Sequence, residues 1–98
     1  MKFTFKKDVP TGRYKSFDLK YTDIKLGGKQ VGHIKESRDS RDYSISFAIK
    51  KEKTEKDPAP FKWVYLKARF KTEPEARVFV KRHEEQIQER YNLYQFED

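Results

Sequence analysis

The clearest pattern along the chain is an alternation of apolar and polar positions, which predicts β-strands. It is strongest in residues 43–50, YSISFAIK, and is repeated in residues 61–70, FKWVYLKARF. A shorter version surrounds Phe3 and Phe5 at the N-terminus. A period of two is typical of strands that bury one face. These three segments are therefore predicted as strands.

A pair of glycines predicts a hairpin in the first half of the chain. Gly27 and Gly28 lie between two apolar segments, and Gly-Gly tolerates the positive φ angles of a two-residue turn. With these glycines at the centre of the turn, Ile24 faces Val31. Because the apolar phase changes near Thr22, we expect a bulge or a strong twist there.

The last quarter of the chain has a helical period. Thr72 precedes Glu73-Pro74-Glu75, where the hydroxyl can accept a first-turn amide and the proline costs no intrahelical hydrogen bond. The side chains that then share one helical face are Ala76, Phe79, Val80, His83, Ile87, Tyr91 and Tyr94. We expect this face to pack on the side of the preceding strand that carries residues 64, 66, 68 and 70.

Together these elements predict one α+β domain over residues 1–98, with an antiparallel sheet of four to five strands packed on one long C-terminal helix. Residues 51–60, KEKTEKDPAP, are predicted as a mobile charged loop because they combine charges with two prolines. Residues 95–98 are predicted as a short acidic tail.

Composition adds a strong positive charge to this fold. Lys and Arg number 23 against 16 Asp and Glu, which gives a net charge of +7. The basic excess lies in residues 1–35 and 61–82, whereas residues 83–98 are acidic. Such a field favours polyanionic partners such as nucleic acid, phosphate-rich surfaces or acidic protein patches.

Other classes of protein are disfavoured by what the composition lacks. The absence of cysteine excludes disulfides, thiolate metal sites and cysteine nucleophiles. No segment is apolar enough for a signal peptide or a membrane span, so we expect a cytoplasmic protein without a membrane role.

The outward face of the 61–70 strand is the first candidate for function. If residues 64, 66, 68 and 70 face the helix, the other face carries two rings and two cations: Trp63, Tyr65, Lys67 and Arg69. Rings that stack on bases and cations that contact phosphates are typical of sheet-type nucleic-acid-binding proteins. The alternative is that the strand with Phe3 and Phe5, or residues 17–21, folds over the two rings and buries them.

A second set of basic residues lies on the hairpin and in the loop that follows it: Lys25, Lys29, Lys35, Arg38 and Arg41. Lysines on a hairpin can follow a phosphate backbone, and arginines beside it can reach base edges. The alternative is an ordinary solvated surface, because Asp39 and Asp42 neighbour the arginines.

No constellation of residues predicts catalysis, a metal or a cofactor. His33 and His83 are distant in sequence and would have to converge with carboxylates to hold a metal ion. His83 is better explained as a residue of the helix core face. Ser37 and Asp39 supply the residue types of a catalytic triad near His33 but lack a nucleophile turn and an oxyanion motif. We therefore predict that the protein is not an enzyme.

Residues 70–76, FKTEPEA, with Phe79 after them, resemble the strand-to-helix junction in the arm-site-binding domains of tyrosine integrases. Those domains place a three-stranded antiparallel sheet, packed on one helix, in the DNA major groove. The resemblance implies DNA contacts by Trp63, Tyr65, Lys67 and Arg69. This chain departs from the family in its extended 51–60 loop and its additional N-terminal strand.

The sequence thus predicts a small basic binding domain whose ligand is nucleic acid, with DNA favoured, held by an aromatic and basic sheet face. The alternative is a protein-interaction or inhibitory module that uses the same face, since Trp, Tyr and Arg also dominate protein interfaces. The oligomeric state stays open.

Overall fold

A computed structural model describes residues 2–8, 21–37 and 39–97. These residues form five strands and two helices: β1 (Phe3–Asp8), β2 (Tyr21–Leu26), β3 (Lys29–Glu36), β4 (Tyr43–Lys50), β5 (Phe61–Phe70), α1 (Glu73–Arg82) and α2 (Glu84–Arg90). The strands lie side by side in chain order, and each neighbouring pair is antiparallel. The predicted α+β class and antiparallel sheet are confirmed, with β1 and β5 as the edges of the described sheet.

The helical segment is divided at His83, so the prediction of one long helix is wrong. His83 has φ −109° and ψ 17°, outside the helical range, and α2 has only seven residues. Its N–H nevertheless donates to Phe79 O at 3.1 Å, and its carbonyl accepts from Ile87 N–H at 2.9 Å. Because these bonds keep the helical phase, the predicted apolar face meets the sheet as far as Ile87, and Ala76, Val80 and Ile87 are buried. Tyr94, predicted on the same face, instead lies beyond the end of α2 at Arg90 and stacks on Phe61 of β5. A break that preserves the helical phase leaves the spacing of the apolar residues unchanged. That spacing alone therefore could not reveal the break at His83.

Helix α1 begins where the sequence predicts, directly after Thr72. The Thr72 hydroxyl accepts a hydrogen bond from Glu75 N–H at 3.3 Å, and Pro74 lies in the first turn. Such a cap contributes about 1 kcal/mol to helix stability.

The core lies between the sheet and the helices. Its most deeply buried members from the sheet are Phe3, Ile24, Val31, Ile34, Ile45 and Phe47, all at most 2% exposed. On the edge strands, Phe5, Leu66 and Phe70 are only partly buried against this cluster. Apart from Phe3 on β1, the helices therefore cover the middle strands more completely than the edges.

The hairpin between β2 and β3 has the predicted turn. Gly27 and Gly28 have φ values of 63° and 81°, and Leu26 pairs with Lys29 across them. Both glycines thus occupy the left-handed region that other residues rarely adopt.

The register beyond this turn differs from the predicted one. Ile24 pairs with Gly32 and not with Val31, because Val31 is an additional residue on β3 at a bulge opposite Ile24 and Lys25. No bulge occurs near Thr22 in the described pairing of β2. Val31 is fully buried, so it looks like any other core position in the apolar pattern.

Edge strand β1 is attached to the helices through two side chains. Phe3 N–H donates to Glu84 Oε2 at 3.2 Å, and Lys81 Nζ donates to Phe3 O at 3.0 Å. Lys81 also bonds Glu84 at 2.9 Å and, together with the Phe3 amide, holds the pKa of Glu84 below its usual value. These bonds occupy two backbone groups of an edge that could otherwise pair with another strand.

Strands β3 and β4 approach each other closely at Gly32, the partner of Phe47. A Cβ at Gly32 would lie 2.3 Å from Ser46 O and 2.8 Å from Phe47 Cδ1. The first of these neighbours is backbone and has little freedom to move. Position 32 therefore requires glycine, because there is no space for a side chain.

We predict that Gly32→Ala lowers the free energy of unfolding by about 1–3 kcal/mol, the usual cost of overpacking. Urea denaturation measures this change. The matched control is Gly28→Asn, because a side chain there meets nothing within 4 Å and asparagine tolerates a positive φ. An unchanged midpoint for Gly32→Ala would contradict the close approach of the two strands.

Candidate nucleic-acid interface

The pairing of β3, β4 and β5 assigns their side chains to two faces of the sheet. Phe47 and its partners face the helices, whereas Ser46, with its partners His33 and Tyr65, points the other way. We call this second side the outer face. Its positions on β2 to β5 are Tyr21, Asp23, Lys25, Gln30, His33, Lys35, Ser44, Ser46, Ala48, Lys50, Phe61, Trp63, Tyr65, Lys67 and Arg69.

The structure brings most of the predicted binding residues together on the outer face. They are Trp63, Tyr65, Lys67, Arg69, Lys25 and Lys35. Two others lie outside it. Lys29 pairs with the core residue Leu26 at the hairpin turn, with its Nζ 3.8 Å from Glu97 Oε1, and Arg41 bonds the buried carboxylate of Glu36 at 3.0 Å. Arg38 lies outside the described residues.

Strand β4 presents small side chains to the middle of the outer face, and the longer Lys50 lies at its end. Ser44, Ser46 and Ala48 are 8%, 1% and 0% exposed. Side chains from both neighbouring strands meet above them, and the ring centroids of His33 and Trp63 are 4.7 Å apart although β4 lies between their strands. Since two strand spacings amount to about 10 Å, the two rings must lean toward each other over β4.

The contact between His33 and Trp63 belongs to a chain of rings that crosses the outer face. Tyr21 meets His33 edge-on at 5.7 Å, and Phe96 stacks on Trp63 at 5.6 Å with an interplanar angle of 23°. Phe61 contacts both Phe96 and Tyr94. We call these six rings the aromatic ridge: Tyr21, His33, Trp63, Phe61, Tyr94 and Phe96.

The C-terminal segment reaches the ridge by passing between β3 and β4 beyond the end of their pairing. Tyr94 N–H donates to Ala48 O at 2.8 Å, and Phe96 N–H donates to Gln30 O at 2.9 Å. Leu93 pairs with Ile49 and is buried in the core on the helix side. This short segment therefore contributes side chains to both faces of the sheet.

The role of Phe96 was not found from the sequence, which placed residues 95–98 in an acidic tail. Gln95 Nε2 donates to Leu26 O at 2.7 Å, and the ring of Phe96 lies on Trp63. The available signal was the spacing of Tyr94 and Phe96, two rings on alternate positions as in a strand.

The two rings predicted for ligand contact have different surroundings. Tyr65 is 58% exposed, whereas Trp63 is half-buried. The cover of Trp63 is not the strand with Phe3 and Phe5, because Phe3 packs against Phe47 on the helix side. Residues 17–20, the other predicted cover, lie outside the described residues. Tyr65 is therefore the accessible ring of the outer face, and Trp63 is largely part of its support.

Cations lie beside Tyr65 on the outer face. Lys67 is exposed, and Arg69 bonds Asp42 at 3.1 Å. Ser40 and Arg69 together lower the pKa of Asp42. Lys35 and Arg69 flank Ser44 on its two sides, because both residues pair with it. Within the described part of the chain, neither Lys35 nor Lys67 has an ion-pair partner.

Two polar atoms of the outer face, His33 Nε2 and Ser46 Oγ, are buried without a hydrogen-bond partner among the described residues. Burial, aided by the charge of Lys35, lowers the pKa of His33 from 6.5 to about 4. At neutral pH the imidazole is uncharged and packs as one of the rings.

Comparisons with protein-family models, curated proteins and solved structures find no match to this chain. Over residues 2–8, 21–37 and 39–97, no three His, Asp or Glu side chains form a group that could hold a metal ion. No helix in these ranges is long and apolar enough to cross a membrane.

We predict that His33 contributes to acid destabilisation. Because its folded pKa lies below its unfolded one, the unfolded chain binds more protons between about pH 6.5 and pH 4, and stability falls as the pH falls through that range. His33→Phe should lose less stability than the parent between neutral pH and about pH 4.5 in urea denaturation. An NMR titration of the His33 ring that gives an ordinary pKa would contradict this account.

We predict that Phe96→Ala uncovers the only tryptophan. The emission of Trp63 should shift to longer wavelength and acrylamide should quench it more strongly, with a loss of about 1–2 kcal/mol in stability from the removed ring contacts. Val78→Ala, a change at an exposed side chain of α1, is the control and should leave the emission unaltered. Unchanged quenching in Phe96→Ala would show that another group covers the indole.

Proposed function

We propose that this chain is a small, non-enzymatic nucleic-acid-binding domain, with DNA as its ligand, and that it binds through the outer face of the sheet. The observation that carries the proposal is the exposed ring of Tyr65 with Lys67 beside it, on the side of the sheet that points away from the helices. An accessible ring can stack on a base while neighbouring cations contact phosphates.

The charge of β5 supports a polyanionic ligand. Residues 61–72 contain Lys62, Lys67, Arg69 and Lys71 and no acidic residue. The ion pair of Arg69 with Asp42 is solvent-exposed, and such pairs contribute only about 0–1 kcal/mol. A phosphate can therefore replace Asp42 at little cost.

The aromatic ridge supports this site and is not itself inserted into the ligand. Trp63 is held between His33 and Phe96, with ring centroids at 4.7 Å and 5.6 Å. Side chains fixed in this way keep the outer face rigid, so that little conformational entropy is lost when a ligand binds.

The resemblance of residues 70–76 to the arm-site domains of tyrosine integrases agrees with the choice of DNA. The sheet of this chain has five strands, two more than the sheet of that family. The resemblance thus supports the class of ligand, while the positions of Tyr65 and Lys67 support the way it would be held.

We predict that labelled DNA oligonucleotides bind the protein with an affinity that falls steeply as salt rises. Lys67→Ala should reduce the slope of log affinity against log salt by about 1, as expected for the loss of one phosphate contact. Fluorescence anisotropy at several salt concentrations between about 50 and 200 mM measures this slope.

Lys53→Ala is the matched control, because it removes the same charge from an exposed position in the 51–60 loop and should leave the slope nearly unchanged. Equal effects of the two variants would indicate diffuse attraction without a site. If no oligonucleotide binds at the lowest salt concentration, the proposal fails and the protein-interaction alternative takes its place.

A further inference from the structure

We infer that the nucleic acid bound by the outer face is single-stranded. This inference rests on the proposed function and specifies its ligand. Three features of the described residues carry it: the width of the charged surface, the position of the exposed ring, and the bulge in β5.

The charged surface is too wide for the major groove of a duplex. Its lysines extend from Lys25 on β2 to Lys67 on β5, three strand spacings apart. These spacings amount to about 14 Å, whereas the major groove is about 12 Å wide and admits a helix or a two-stranded ribbon. A duplex could thus touch one edge of this face but could not engage all of its cations in one groove.

The exposed ring suits bases that are not paired. Tyr65 projects from the outer face beside the ridge and is 58% exposed. In a duplex each base is already stacked above and below, so a ring on a flat surface reaches no base face. A single strand can lay a base on Tyr65 without losing base pairs. The ridge cannot open a duplex as a wedge, because Trp63 is already stacked on Phe96.

The bulge in β5 places a cation where the backbone of such a strand would run. The segment Leu66–Ala68 on β5 lies opposite the single residue Ile45 of β4. Lys67, at its centre, has no β4 partner and is exposed on the outermost described strand. Bulges commonly redirect side chains in this way. A base over Tyr65 and a phosphate at Lys67 would then align an extended strand with β5.

The test compares a labelled 15-nucleotide oligothymidylate with a labelled 15-base-pair duplex of mixed sequence by anisotropy at low salt. We expect the single strand to bind about tenfold more tightly or better. Tyr65→Ala should weaken single-strand binding by about tenfold, while Tyr65→Phe, which keeps the ring, should stay within about twofold of the parent.

Val78→Ala is the matched control. Val78 is 55% exposed, nearly the same exposed fraction as Tyr65, but it lies on α1 at the other side of the sheet. It should not change the affinity for the single strand. Thermal unfolding of each variant verifies that the fold is intact.

The outcomes separate the inference from the proposed function. Duplex binding as tight as single-strand binding overturns the inference and leaves nucleic-acid binding in place. An unaffected Tyr65→Ala variant overturns the inference and also removes Tyr65 from the proposed binding site. Absence of binding to either probe overturns both.

Discussion

The contact of His33 with Trp63 above β4 is the interaction on which the outer face depends. It exists because the middle of β4 presents only Ser44, Ser46 and Ala48 to that side, so that rings from the neighbouring strands can lean inward and meet. The arrangement has a cost, since the Ser46 hydroxyl and the His33 ring nitrogen find no hydrogen-bond partner among the described residues, and each is expected to destabilise the fold by about 1–3 kcal/mol. Burial of the ring surfaces offsets this cost. A larger residue at position 46 would separate the rings and remove the surface on which Phe96 lies.

Both layers of packing are joined by the C-terminal segment. Leu93 lies in the core under the helices, and Phe96, three residues later, stacks on the opposite side of the sheet. The backbone between them bonds β4 through Ala48 and β3 through Gln30. A chain of 98 residues with 35% hydrophobic positions can cover parts of two sheet faces in this way because 15% of its residues are aromatic and each ring buries a large area.

Local chemistry made much of the fold predictable. The alternation of β4 and β5, the left-handed turn at Gly27-Gly28 and the cap at Thr72 each follow from a short stretch of sequence, and the structure has all three. The errors arose where a backbone irregularity preserves the apolar pattern. Val31 is buried at a bulge as it would be in a regular strand, and His83 interrupts the helix without changing its phase. The ridge was missed for a different reason, since its rings are distant in sequence and only the paired strands bring them together.

The difference between Tyr65 and Trp63 shows why the sequence could locate the candidate site but could not predict which of its rings is exposed. Alternation places both rings on one face of β5, but their exposure depends on neighbours contributed by other parts of the chain. His33 and Phe96 enclose the indole, whereas the Ser46 opposite Tyr65 is too small to cover the phenol. Because burial also keeps His33 uncharged, the positive charge of the outer face belongs to lysines and arginines around the ridge and not to the ridge itself. In the proposed complex a polyanion would therefore meet its cations at the perimeter, and phosphates at Lys67 and Lys35 would leave the base face free to meet Tyr65.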